Sequence, residues 1–262
     1  MQVSNYPYEY VRCVDMEQIR ESPQMQSHSL EGFIPLLSLT EGCGALLIIL
    51  MAVWTGHYRN GFSWRSNPKL EFNWHPLLMT IGLVFLYANA MLLYRTQRNV
   101  RKLRLKLTHA TMMLSILLFV TIALIAVFDS HNLARPPIPN LYSLHSWVGL
   151  TTIILFCCQW FAGYVFFLYP GLKIPLRASY MPLHVFFGIA GFVSAIFTCL
   201  LGLNEKALFE LQDKYSAFES EGILINFIGL LLVLFGGLSV YLVTQERYRR
   251  LSRSEDEILL GG

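Results

Sequence analysis

Six apolar runs constrain this chain more than anything else in it. Each is 18 or more residues long, enough for a helix to cross a hydrocarbon layer of roughly 30 Å. They fall at about 36–57, 72–94, 106–128, 142–168, 181–203 and 222–244. Composition agrees: of 262 residues, 54% are hydrophobic and only 14% charged, with a mean hydropathy of +0.46. A soluble domain carries about 25% charged residues, and one aqueous core cannot hide this much apolar surface. The sequence therefore predicts an all-α, polytopic membrane protein with six transmembrane helices. Residues 1–35 are polar and read as a disordered tail, 36–246 as the six-helix domain and 247–262 as a second tail.

Other classes fall away. A net charge of +3 gives no basic surface for nucleic acid. Cys13, Cys43, Cys157, Cys158 and Cys199 form no C-x-x-C, and four lie in apolar runs, so neither a disulfide framework nor a zinc knuckle is indicated. The N-terminus has no basic segment followed by an apolar core, so no cleaved signal peptide is expected. No N-x-Ser/Thr sequon occurs. Glu41 interrupts the first run; it reads either as a carboxylate favoured by a helix N-terminus or as a functional intramembrane acid.

The basic residues set direction. With both termini cytoplasmic, the cytoplasmic segments hold fourteen of the twenty Lys and Arg residues. The loop Arg95–Lys106 decides it, with six cations and no acid, as the positive-inside rule requires. Spans two and three, then four and five, form a parallel repeat of two hairpins.

Four of the seven histidines lie one per helix in spans two to five: His75, His109, His145 and His184. An isolated membrane histidine is commonly an interhelical hydrogen bonder, but four near their helix starts mark a site. Depth pairs them. His75 and His145 fall in an outer layer, His109 and His184 in an inner one. For residues one turn deep, the layers stand roughly 19 Å apart. Two imidazoles leave zinc half-coordinated. Haem supplies four nitrogens and needs only two axial ligands, so two bis-histidine b-type haems account for all four residues. No C-x-x-C-H is present, so the haems would be non-covalent. Helices two to five would then form a four-helix core around two haems. Two alternatives stay open: a haem-free proton-coupled or metal transporter using the same histidines, and a b-type subunit of a larger quinone-linked complex.

Several motifs carry a resemblance. Trp74-His75-Pro76-Leu77-Leu78-Met79, Tyr142-Ser143-Leu144-His145-Ser146-Trp147-Val148-Gly149, Leu176-Arg177-Ala178-Ser179-Tyr180-Met181-Pro182-Leu183-His184 and Gly202-Leu203-Asn204-Glu205-Lys206, with histidine spacings of 34, 36 and 39, resemble the cytochrome b561 family of six-helix transmembrane ascorbate-dependent reductases. The likeness covers roughly residues 38–246 and looks nearest to the duodenal ferric-reductase and lysosomal branches. The loop before span four is slightly longer than the family pattern. The resemblance implies the same pairing that depth gives, and electron transfer from cytoplasmic ascorbate to a one-electron acceptor on the far side, either a ferric chelate or monodehydroascorbate. It implies that Lys102, Lys106 and Arg177 hold ascorbate; from charge alone they read as headgroup anchors. Arg95 reads as a haem-propionate partner or a helix anchor. His131 resembles an outer-site histidine that binds substrate or metal, and Arg135 beside it reads as a helper or a solvated loop charge. The reading admits a homodimer.

Two short motifs bear on location. Glu255-Asp256-Glu257-Ile258-Leu259-Leu260 has the acidic dileucine form and Tyr8-Glu9-Tyr10-Val11 the tyrosine-based form. They favour a late endosome or lysosome membrane, with plasma membrane or secretory vesicles second; the plain alternative is an ordinary acidic tail.

Overall fold

In the computed structural model, residues 31–250 are described. Residues 1–30 of the expected 1–35 tail, with His28 and Cys13, and both sorting motifs lie outside the described residues. Those that are described form six long apolar helices and no strand: α1 (Phe33–Tyr58), α2 (Pro68–Thr96), α3 (Lys102–Asn132), α4 (Leu144–Phe167), α5 (Ile174–Leu211) and α6 (Ser220–Thr244). The all-α, six-span expectation holds.

Every helix except α4 extends beyond its apolar run at one end or both. The 169–180 connection is half helical, because α5 already starts at Ile174 and carries Arg177 in its first turn; at its other end α5 continues to Leu211. Charged residues at these ends let a helix continue while their heads reach water. Lys206 and Glu210 also form an i,i+4 ion pair of 2.8 Å that supports the last turns of α5.

Local sequence sets the boundaries. Ser143 and Ser146 close a capping box at the start of α4. Asn67 caps the entry to α2 and is followed by Pro68 at the first helical position. Just after His75-Pro76, α2 widens into a π-helical stretch over Thr80–Leu86, the kind of segment that gathers at functional sites. At the end of α1 the chain reverses through Asn60 (φ 63°) and Gly61 (φ 84°).

Asn73, 3% exposed, locks that reversal. Its amide donates to the carbonyls of Thr55, Arg59 and Gly61 at 3.4, 3.0 and 2.5 Å, and Trp74 Nε1 donates to Ser63 O at 2.9 Å. Asn73→Ala would remove the amide donor from the Arg59 and Gly61 carbonyls, while Thr55 O keeps the Gly61 N–H at 3.0 Å, and is expected to cost about 1–3 kcal/mol. A thermal melt in detergent checks this, and an unchanged midpoint would show that the turn holds without it.

α2 is the most enclosed span, and the core forms around it. α1 packs with α6, α2 with α3 and α4 with α5. Tyr87 of α2, 1% exposed, places its ring edge-on to Phe156 and Phe192 and donates its hydroxyl to Gly188 O at 2.9 Å. Both described ends meet at one face of the bundle, the terminal face. There Phe33, Leu92, Leu242 and Tyr248 form a second small core, and Tyr248 donates to Glu31 O. At the opposite, far face, Arg59 at the end of α1 pairs with Glu210 of α5 and Glu221 of α6.

Candidate functional site

Two pairs of imidazoles face each other across the interior. His75 of α2 and His145 of α4 have ring centroids 6.1 Å apart, and His109 of α3 and His184 of α5 are 6.4 Å apart. Two imidazoles coordinating one first-row metal from opposite sides, with metal–nitrogen bonds of about 2.0–2.1 Å and each centroid about 1.1 Å behind its nitrogen, stand about 6.3 Å apart. Both pairs match that spacing.

Three of these rings have one nitrogen already committed. His75 Nδ1 lies 3.2 Å from Ala123 O, His145 Nδ1 2.9 Å from Thr198 O and His109 Nδ1 2.9 Å from Ala90 O. Since a carbonyl only accepts, each Nδ1 carries the proton and each Nε2 keeps a free lone pair. Metal-ligating histidines are held in this way. Among the described residues no group of three or more His, Cys, Asp or Glu could hold a metal ion, so neither pair has the further ligands that a structural zinc needs. A ligand bringing its own equatorial nitrogens fits them.

Two glycines, neither given a role by the sequence alone, seat the rings. A Cβ on Gly202 of α5 would lie 2.7 Å from His145 Cε1, and one on Gly163 of α4 would lie 3.0 Å from His184 Cε1. Each glycine stands 18 residues after the histidine of its own helix, at His145→Gly163 and His184→Gly202. Eighteen residues make five turns, a rise of roughly 27 Å, so glycine and histidine share a helix face while serving opposite pairs.

A cavity of about 1000 Å³ opens between the His75/His145 pair and the far face. Its mouth includes Arg65, Lys69, His131, Arg135 and Lys206. His131 Nδ1 is 3.0 Å from Asn140 Oδ1 at this mouth, and the Lys206 ammonium lies 4.0 Å above the Phe72 ring, which neighbours His75. Arg65 is tied to Asp129 at 2.7 Å.

At the terminal face, Lys106 donates to Phe167 O at 3.2 Å, and Lys102 and Arg177 are close enough to repel it. The fold thus gathers Lys102, Lys106 and Arg177 near the His109/His184 pair. Arg177 Nε is buried without a partner there. Arg95 goes elsewhere: its guanidinium donates to the carbonyls of Val243 and Gln245 and ties α2 to the end of α6, which is the geometry of an anchor.

These features define a class: an intramembrane protein with two opposed imidazole pairs, one towards each face. Comparison with known proteins names the family. The profile of the eukaryotic cytochrome b561 family matches residues 74–210, the stretch that carries all four histidines. The chain is 44% identical over 216 residues to the human transmembrane ascorbate-dependent reductase CYB561, covering 82% of this chain and 84% of that protein. It is 42% identical over 239 residues to the pig protein of the same name, covering 91% and 93%. It is 40% identical over 232 residues to the Xenopus laevis plasma membrane ascorbate-dependent reductase CYBRD1, covering 87% and 81%. The chain belongs to the cytochrome b561 family, whose cofactor is haem b.

Proposed function

We propose that this protein carries electrons across a membrane from cytoplasmic ascorbate to a one-electron acceptor on the other side, and that it binds two b-type haems per chain. His75 and His145 would hold the haem towards the far face, and His109 and His184 the one towards the terminal face. The single observation that carries this reading is the matched ring spacing of the two pairs, 6.1 and 6.4 Å. A haem with both axial positions filled supplies a one-electron couple and leaves no position for oxygen.

The residues around the pairs do the rest. Six cations between Arg95 and Lys106, with no acid, favour a cytoplasmic terminal face. Ascorbate is a monoanion at neutral pH, and Lys102, Lys106 and Arg177 offer it a cluster of cations beside the inner pair. On giving up one electron it also releases a proton, which that face delivers to the cytosol. At the far face, the mouth with His131, Lys69 and Arg135 receives the acceptor, a ferric chelate or monodehydroascorbate. His131 there can take a substrate, a metal or a proton. Moving one charge across the membrane is worth about 2.3 kcal/mol per 100 mV, so the compartment biases the direction. The dileucine motif in the tail favours late endosomes or lysosomes. Each imidazole pair is built within one chain, so a homodimer would add no axial ligand.

Absorbance of the purified protein before and after ascorbate, with haem quantified per chain, tests the reading. Two haems reduced by ascorbate, one of them lost in His75→Ala and the other in His184→Ala, are expected. Well-folded protein without haem would sink the reading and return the histidines to a transporter role. Lys106→Met and Arg177→Met should each raise the KM for ascorbate about 10-fold or more, the worth of one charge-assisted hydrogen bond. Reduction by dithionite should stay unchanged in both. If KM did not move, these cations would be headgroup anchors.

A further inference from the structure

The inner pair is incomplete in one respect. Ala123, Thr198 and Ala90 carbonyls take the Nδ1 protons of His75, His145 and His109. His184 Nδ1 is buried and has no partner. An N–H buried in this way loses its hydration with no return.

The same part of the bundle holds a buried acceptor with no donor. Gln159 Oε1, on α4, is buried and unpartnered. Two contacts place it near His184. Gln159 is one turn before Gly163 on the same face of α4, and a Cβ on Gly163 would lie 3.0 Å from His184 Cε1 and 3.6 Å from its Nδ1. From the other side, the Gln159 side chain lies close enough to the Tyr180 hydroxyl to act on it electrostatically, and the Tyr180 ring centroid is 6.0 Å from that of His184. The other buried side-chain atoms without partners do not compete. Arg177 Nε is itself a donor, and the Glu71 oxygens belong to the far end of α2.

We propose that Gln159 is the positioning residue of the inner pair: its carbonyl oxygen accepts the Nδ1 hydrogen of His184, as backbone carbonyls do for the other three histidines. A turn of the side-chain amide closes the bond. Gln159 then joins Tyr180, one turn from Arg177, to the ligand of the inner haem. An acceptor on Nδ1–H makes Nε2 more basic and favours the oxidised metal. Of the four acceptors this is the only side chain, so the inner couple can be altered without disturbing a helix backbone. The inference rests on the reading that His109 and His184 hold a haem.

The experiment is a redox titration of the purified holoprotein, followed optically and by electron paramagnetic resonance, for the parent, Gln159→Leu and Gln159→Glu. With the acceptor lost, Gln159→Leu should raise the midpoint of one couple. Gln159→Glu, a stronger acceptor, should lower the same midpoint. The second couple should stay put, and haem content should match the parent. His184→Ala identifies the couple by deleting it. Two haems with unmoved midpoints in both variants would overturn the proposal. A shift of the same sign in both would also overturn it, since that would report packing alone. If Gln159→Leu does not fold, Gln159→Met supplies the acceptor-free arm. Failure of the underlying reading looks different: His184→Ala would leave the haem content of the parent unchanged.

Discussion

Alanine at Gly202 is expected to remove haem from the outer pair while leaving the inner one loaded. The added Cβ would stand 2.7 Å from His145 Cε1 and 2.9 Å from its Nδ1, closer than carbon and ring atoms approach in folded proteins. The ring has little room to yield, because its Nδ1 is tethered at 2.9 Å to Thr198 O, one turn before Gly202 on the same helix. Moving away therefore breaks the bond that fixes its tautomer. Losing such a supporting contact lowers metal-site affinity by about 10–100-fold. Haem per chain should fall towards half that of the parent, with the ascorbate-reducible inner signal retained. Gly163→Ala should be milder, because its Cβ would meet His184 Cε1 at 3.0 Å and the two ring nitrogens only at 3.6 and 3.8 Å. Pyridine haemochrome assay with the Soret band per chain measures both. If Gly202→Ala keeps both haems and an unaltered spectrum, the glycine is not a seat.

Arg59→Met should destabilise the far face. Arg59 reaches Glu210 of α5 and Glu221 of α6, and thereby ties the end of α1 to both. Its side chain is 12% exposed, and those of Glu210 and Glu221 are 25% and 15%. Removing one partner from a buried ion pair costs about 3–5 kcal/mol, because the charge left behind stays buried. Here Lys206 still holds Glu210 at 2.8 Å and Trp54 Nε1 still donates to Glu221 at 2.9 Å. The expected loss is therefore about 2–3 kcal/mol. Thermal unfolding in detergent should show the midpoint fall, and a further Glu210→Gln change should recover part of it. No loss in the single variant would mean that water screens the cluster.

Much of this was legible in the sequence. Six apolar runs fix six spans, because a helix is the only form in which one chain segment satisfies its own backbone in lipid. The positions of His75, His109, His145 and His184 within those runs were enough to sort them by depth, since depth follows from residue count along a helix. Helix ends were less legible: hydropathy stops at the first charged residues, whereas α5 continues through Lys206 and Glu210, which neutralise each other at 2.8 Å.

What only the tertiary structure decided is how the rings are held. Residue count gives a histidine its depth but not the direction of its ring, which depends on the neighbouring helix. Ala123, Ala90 and Thr198 are unremarkable in the sequence and become partners only once their carbonyls lie across from an imidazole. The glycines did leave a trace, each 18 residues after a histidine, but that spacing acquires meaning only when α4 and α5 pack antiparallel and each offers bare backbone to the other's ring. Arg95 shows the same division. Its charge and place at the end of α2 were plain from sequence, and the two carbonyls of α6 that it binds were not. Sequence determines which groups lie at which depth, because both are properties of a single helix. Which groups touch is a property of pairs of helices, and only packing decides that.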